Sequence, residues 1–422
     1  MDVITNNNHS VVREYLSNFI YRENDDLFAC SSQNTIIDSI EINSEEYPKF
    51  INEFWTSKQR QASSLHEIAY RACFKPQLPN FFIKWLTKTG DTIYDPFSGR
   101  GTTVIEAALL DRNIIANDIN PLSKILCYAR LFIPDLVKLD ERLKNIPIDD
   151  KAKADIDLSM FYHPKTEAEI VSLKDYLKKR KEENLEDELD IWIRMVATNR
   201  LTGHSSGFFS VYTLPPNQAV SPVSQKKINE KRSQIPDYRD TKKIILKKSR
   251  NLLSDVKESQ IGRLKNIAEK ALFLTEDARY TKEIQDNSVK LTVTSPPFLD
   301  VVQYDNDNWL RCWFNSIDAV KIGEKITMPK KVESWCDVMG DVFKELYRIT
   351  FSSGYVAFEV GEVRNGKVKL EEYVVPSGIK AGFICEGIMI NEQIFTKTAN
   401  IWGVSNNTKG TNTNRIVLFR KL

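Results

Sequence analysis

The feature that most constrains this chain is a nine-residue stretch, Asp95-Pro96-Phe97-Ser98-Gly99-Arg100-Gly101-Thr102-Thr103. It ends a short apolar run (TIYDPF, 92–97) and opens a helical pattern (102–111). Glycines at a strand-to-helix turn permit a tight bend and let a ligand approach the N–H groups at the helix start. Such a turn belongs to a parallel α/β unit, with its ligand beyond the carboxyl end of the strand. The third glycine of a dinucleotide fingerprint is missing here, which argues against a nicotinamide cofactor. A carboxylate at the strand end, Asp95, suits a cationic ligand group.

The rest of the chain repeats this alternation. Further strands are read at 113–117 (NIIAN), 272–275 (LFLT), 289–294 (VKLTVT), 355–360 (YVAFEV), 383–390 (FICEGIMI) and 415–420 (RIVLFR). Helical patterns fall at 122–132, 308–314 and 333–349. Seven strands, most of them separated by helices, predict an α/β, Rossmann-like sheet. The last two are joined by a polar loop (396–414) and are expected to pair antiparallel. Residues 133–270 interrupt the sheet between its second and third strands. They hold a charged helical run (167–190), an aromatic Gly/Ser stretch (Gly203-His204-Ser205-Ser206-Gly207-Phe208-Phe209) and a basic run. An insertion this long, with its own composition, predicts a second domain. The expected units are a 1–60 extension, 61–132, the 133–270 insert, and 271–422.

Charge refines the reading of the insert. Net charge is only +2, yet 226–250 holds ten basic residues against three acidic ones. Lys226, Lys227, Lys231, Arg232, Lys242 and Lys243 are the candidates for neutralising phosphates. A solvated helix face is the competing reading. Six cysteines are scattered singly, without C-x2-C spacing and without histidine partners, so reduced thiols and no metal are expected. No apolar run approaches a membrane span and the Asn-rich start lacks a signal layout, which makes the cytosol the expected compartment.

A second motif, Thr294-Ser295-Pro296-Pro297-Phe298, closes the run VKLTVT. Two prolines cannot continue a ladder, so the chain turns out at the strand's carboxyl edge, where α/β ligand sites lie. The Ser295 hydroxyl and the Pro296 carbonyl offer acceptors for an amino group, and Phe298 offers a face for a stacked ring. Asp118 ends NIIAND one strand after Asp95, where a carboxylate can take both ribose hydroxyls of a nucleoside.

Together these residues carry a resemblance. Asp95 to Thr103 resembles motif I of the amino-methyltransferases, and Thr294 to Phe298 resembles their motif IV in its Ser-Pro-Pro form. Phe74-Lys75-Pro76-Gln77 is similar to motif X, which packs on the methionine end of the cofactor. Asp118 through Pro121 is similar to motif II. Glu276-Asp277-Ala278 is similar to motif III, whose carboxylate meets the adenine amino group. The likeness covers roughly 64–130 and 273–422. It implies a seven-stranded methyltransferase sheet and S-adenosyl-L-methionine as cofactor. The implied cofactor residues are Phe74, Lys75, Asp95, Pro96, Phe97, Ser98, Gly99, Gly101, Thr102, Asp118, Ile119, Asp277 and Ala278. Ser295, Pro296, Pro297 and Phe298 are the implied catalytic residues, with Tyr304 and Asp305 lining the same pocket. The implied activity is site-specific methylation of double-stranded DNA at cytosine N4, by base flipping and direct in-line transfer. The insert would then recognise the target, with its aromatic Gly/Ser stretch near the base edges.

Alternatives stay open at this point. Some adenine-N6 enzymes carry the Ser form, and RNA amino-methyltransferases use a related motif. An idle DNA-binding subunit is a third reading, which intact Asp95, Asp118 and Ser295 oppose. Cytosine-C5 chemistry needs a thiolate presented after proline, and no cysteine here follows one. A companion restriction endonuclease fits the resemblance, and oligomeric state stays open. Arg100 stands where the family usually has a small residue, and its side chain is expected to point to solvent.

Overall fold

The computed structural model describes residues 10–21, 33–56, 62–71, 73–215, 219–297, 304–326, 329, 331–363, 368–392 and 413–422. All seven strands read from the sequence are present, and residues before them supply two more. In chain order the main sheet contains β1 (Ile36–Ile42), β2 (Glu45–Asn52), β3 (Thr92–Asp95), β4 (Asn113–Asn117) and β5 (Leu272–Leu274). β6 (Val289–Thr294), β7 (Thr350–Val360), β8 (Ile384–Glu392) and β9 (Thr413–Arg420) complete it. Their spatial order is β1-β2-β8-β9-β7-β6-β3-β4-β5.

Strands β3 to β7 are mutually parallel, and β9 lies antiparallel between β7 and β8. From β3 the chain builds one way through β4 and β5, then returns to β3's other side with β6. This reversal opens a crevice at the carboxyl ends of β3 and β6, where open α/β sheets bind ligands. The two sequence motifs sit at those two strand ends.

The 1–60 segment is part of the sheet. Its hairpin β1–β2 adds to the far edge, with β2 parallel to β8 and Ile51 opposite Ile390. Asn391, fully buried, takes the N–H groups of Phe54 and Trp55 on its Oδ1 at 2.7 and 3.2 Å. That bond locks the exit of the hairpin to the sheet.

Alternation along the strands feeds two cores. Ile93 on β3 joins one and its neighbour Tyr94 the other, because successive strand side chains point to opposite faces. The Val332–Ile349 and Glu371–Ala381 helices cover the Tyr94 face through Phe343, Leu346 and Val374. The opposite face carries the insert. It is helical at Leu136–Asn145, Pro164–Glu182, Glu188–Arg200, Pro222–Arg232, Thr241–Leu252 and Glu258–Lys270. The charged run 167–190 breaks into two helices because Asp187 and Asp190 form a capping box that starts a new one.

The insert shares a buried cluster with the sheet layer. Trp192, Val196, Ile245, Leu252 and Leu264 belong to the same buried cluster as Ile93, Val104, Ile105 and Ala116 of the sheet layer. Trp192 is fully buried and donates its Nε1–H to Ser249 Oγ at 2.9 Å, joining two insert helices. Trp192→Ala should therefore cost about 3–5 kcal/mol in one cooperative unfolding transition. Two resolved transitions, with only one of them moved, would show an independent insert core.

Candidate active site

The loop between β3 and the Thr102–Leu109 helix is built from its glycines outward. Gly99 and Gly101 take positive φ, +49° and +78°, which residues with a Cβ adopt reluctantly. A Cβ on Gly101 would also lie 2.3 Å from Cys127 Sγ. In this conformation the Gly99 N–H donates to Asp118 Oδ2 at 2.8 Å, and Asn120 N–H donates to Oδ1 at 2.9 Å. Asp118, at the end of β4, thus holds the loop that follows β3.

Asp95 is 2% exposed. Its Oδ1 takes the Thr294 hydroxyl at 2.6 Å and the Phe97 N–H at 3.2 Å. Thr294 is the residue before Ser295, so this one bond joins the two sequence motifs across the crevice. On β4, Asn117 donates to the carbonyls of Pro96 (3.3 Å) and Glu276 (2.9 Å), and takes the Glu276 N–H at 2.9 Å. Three strand-end loops are stapled by that side chain.

These loops line a cleft that is open to solvent at its mouth. Phe74, Asp95, Pro96, Phe97, Ser98, Gly99, Thr102, Asp118, Ile119, Asp277 and Ala278 all line it, and so do Ser295 and Pro297. The Ser98 hydroxyl is turned inward to Asn117 O at 2.9 Å. Gly101 starts the helix behind the wall, Pro296 is buried, and Lys75 is exposed. The turn is held by Trp335, whose Nε1–H donates to Pro297 O at 3.0 Å. Phe298 lies outside the described residues, and of Tyr304 and Asp305 only the helical backbone is described.

Several lining residues carried no sequence signal. Tyr70 and Cys73 come from the segment that wraps the glycine loop, and Arg279 follows Asp277. Ile326, Val338, Met339 and Val342 form an apolar wall facing Asp277 and Ala278. Arg279 pairs with Asp277 through Nε at 2.9 Å and Nη2 at 2.5 Å, and this holds the Asp277 carboxyl below its usual value. Glu359 is 7% exposed on β7, one position beyond Phe358, the partner of Thr294 in the parallel register. It hydrogen-bonds the Ser295 side chain and takes Asn414 Nδ2 at 2.5 Å. No spacing rule announces a glutamate inside the apolar run YVAFEV.

The structure corrects three expectations. Arg100 does not point to solvent: it is 7% exposed, and its Nη1 donates to the carbonyls of Ile68 (2.9 Å) and His66 (3.2 Å). It fastens the 64–74 segment over the loop. Phe208 and Phe209 are buried and cannot meet base edges. Arg239 ties that stretch down through the carbonyls of Ser205, Phe208 and Ser210. Lys242 is not a freely extended side chain: its ammonium donates to Ile146 O at 2.7 Å and Lys144 O at 3.3 Å, capping the Leu136–Asn145 helix. Lys243 pairs with Asp240, and Arg232 lies 3.8 Å above the Tyr212 ring. Lys226, Lys227 and Lys231 are exposed on the Pro222–Arg232 helix.

Three carboxyls around the cleft are pushed up, each chiefly by desolvation: Asp95 to about 7, Asp118 to about 6 and Glu359 to about 7. The folded chain therefore holds more protons than the unfolded chain between about pH 4 and 7. The stability these groups contribute is complete below the ordinary carboxylate range and is lost as pH rises through 6 to 7. Asp95→Asn keeps the acceptor oxygen but removes the buried charge. It should raise the melting temperature at pH 8, by the equivalent of about 2–4 kcal/mol, and change little at pH 4. An equal shift at both pH values would contradict a desolvated Asp95.

Residues 8–124 match a family model described as DNA methylase, and 68–190 match one described as an RMKL-like methyltransferase domain. The first match takes in the β1–β2 hairpin, which the sequence motifs alone did not reach. The chain is similar to the type II methyltransferase M.MjaII of Methanocaldococcus jannaschii, 34% identical over 21% of this chain and 17% of that protein. It is also similar to the type II methyltransferase M.BsoBI of Geobacillus stearothermophilus, 24% identical over 66% of this chain and 58% of that protein. The type II methyltransferase M.MvaI of Kocuria varians is 22% identical over 55% of this chain and 52% of that protein. The chain spans less than two thirds of the length of each. Over its first third it resembles DNA methylases, and over much of its length it resembles type II methyltransferases.

Proposed function

We propose that this protein methylates an exocyclic amino group of a base in duplex DNA, with S-adenosyl-L-methionine as the methyl donor and cytosine N4 as the target. The observation that carries the reading is the Thr294–Asp95 hydrogen bond. It puts an amino-group acceptor, Ser295, on the wall of a cleft whose other residues suit a cationic nucleoside.

The residues fit that cofactor. Asp95 is a buried carboxyl raised by desolvation, so an ammonium group would relieve its charge. Asp118 keeps lone pairs for ribose hydroxyls while it holds the glycine loop. Ile119, Ala278, Ile326 and Met339 supply apolar walls for a flat ring. S-adenosyl-L-methionine, when bound, supplies a methyl group made electrophilic by its sulfonium.

The remaining work falls to the chain. A base inside a duplex must be flipped to reach Ser295, and Phe298 is assigned the stacking contact. The Ser295 hydroxyl donates to Glu359, which leaves its lone pairs for an amino hydrogen. Methylating an amine releases one proton. Ser295 can take it from the nitrogen and pass its own to Glu359, whose carboxylate at about 7 accepts near neutrality. The amine itself is the nucleophile, so no covalent enzyme intermediate forms, and positioning supplies most of the rate. Ser295, in place of Asp or Asn, is the reason to favour cytosine N4 over adenine N6. Double-stranded DNA is the proposed partner, and a companion endonuclease belongs to the same reading.

Two measurements test it. Purified protein, labelled cofactor and either duplex DNA or transfer RNA should give label in DNA alone, and Ser295→Ala should lower turnover without weakening cofactor binding by calorimetry. Label in RNA alone, or wild-type turnover by the variant, would overturn the assignment. At saturating cofactor, kcat should rise with pH and level off above about 7. Glu359→Gln should remove that limb and slow turnover by about 10²–10⁴-fold. A limb that persists in the variant assigns the proton elsewhere.

A further inference from the structure

We infer that the outward face of the Pro222–Arg232 helix reads the major groove of duplex DNA beside the cleft, an inference that rests on the DNA reading above. Most helices in a globular fold are held by an apolar stripe. This one packs only Ile228, partly buried, on the core and is otherwise held by amides. Gln225 is its only buried residue. The Gln225 Nε2 donates to Tyr212 O at 3.0 Å, and the Asn229 Nδ2 donates to Met160 O at 2.8 Å. Gln234, just past the helix, adds a bond to Tyr212 O at 2.9 Å.

Helical spacing places Val223, Lys227 and Lys231 along the line opposite Gln225 and Asn229, flanked by Ser224, Lys226 and Glu230. All six are exposed, and Val223 is 65% exposed. Nothing in the core requires that face. Four cations, Lys226, Lys227, Lys231 and Arg232, stand against one acid on the helix, Glu230, and one beside it, Asp157, which pairs with Lys226 at 3.5 Å, in a chain whose net charge is +2. The occupant is therefore polyanionic. A helix fits the major groove, where lysines meet guanine O6 and N7 or phosphates and an apolar side chain meets the thymine methyl.

The position is also fixed relative to the chemistry. Ala219 N–H donates to Asp307 O at 3.2 Å, and Trp309 Nε1–H donates to Val220 O at 3.3 Å. Both partners lie in the Tyr304–Phe314 helix, which is itself fastened on either side of the cleft residue Tyr70: Asp307 pairs with Arg71 at 2.9 Å and Arg311 Nη2 donates to Ala69 O at 3.0 Å. A sequence reader must be rigidly tied to the pocket that receives the flipped base. These bonds are such a tie.

The experiment uses the full chain. Wild type, Val223→Ala, Lys227→Ala and Lys231→Ala are each incubated with a duplex library of random sequence, and methylated positions are mapped by sequencing. Lys178→Ala with Lys179→Ala, on the solvated Pro164–Glu182 helix, serves as the control. The wild type and the control should methylate one sequence context. At least one outward-face variant should lose about tenfold in preference at one or two base positions, with unchanged cofactor affinity and melting temperature. If the wild type methylates one context and every variant keeps that context, the helix does not read bases and the inference fails while the DNA reading stands. If the wild type binds cofactor yet methylates RNA alone or no nucleic acid, the DNA reading fails and takes the inference with it.

Discussion

One hydrogen bond, from the Thr294 hydroxyl to the Asp95 carboxylate, sets the geometry on which the site depends. The two residues are far apart in sequence and end neighbouring parallel strands. The bond brings the carboxylate of the glycine loop and the Ser-Pro-Pro turn to the same edge. Everything nearby reinforces that closeness. Asp118 restrains the glycine loop, Asn117 staples three loops, Arg100 pins the covering segment and Trp335 holds the turn.

This arrangement gathers carboxyls that water would otherwise solvate. Asp95, Asp118 and Glu359 are all pushed up by burial, so the fold works against its own charge near neutral pH. A core optimised only for stability would avoid such groups. Strongly desolvated carboxyls gathered in one region are the pattern expected of a functional site.

Much of this was legible in the residues, for physical reasons that differ by element. The glycine loop and the Pro-Pro turn announce themselves because few residues tolerate those backbone conformations. The seven strands show because β-branched runs alternate with helical patterns. The β1–β2 hairpin was not legible: β1 is an edge strand, mostly exposed, whose isoleucines are interspersed with charges. Glu359 was hidden because only the register of β6 against β7 reveals that it meets Ser295. Phe208 and Phe209 looked available among glycines and serines, but the Arg239 guanidinium gathers the carbonyls of Ser205, Phe208 and Ser210, and both rings are buried. The capping bonds of Lys242 were not legible because helix capping depends on tertiary placement. The packing of the insert was hidden for a related reason, since its composition differs while the buried cluster runs on into the sheet layer.

In the proposed reaction Ser295 presents an amino group of a DNA base for methylation, and the base is cytosine. Its most direct test is mass spectrometry of nucleosides from DNA of a host expressing the intact chain, beside a host expressing Ser295→Ala. The account predicts N4-methylcytosine in the first and none in the second. N6-methyladenine in its place, or methylated cytosine that persists with Ser295→Ala, would contradict it.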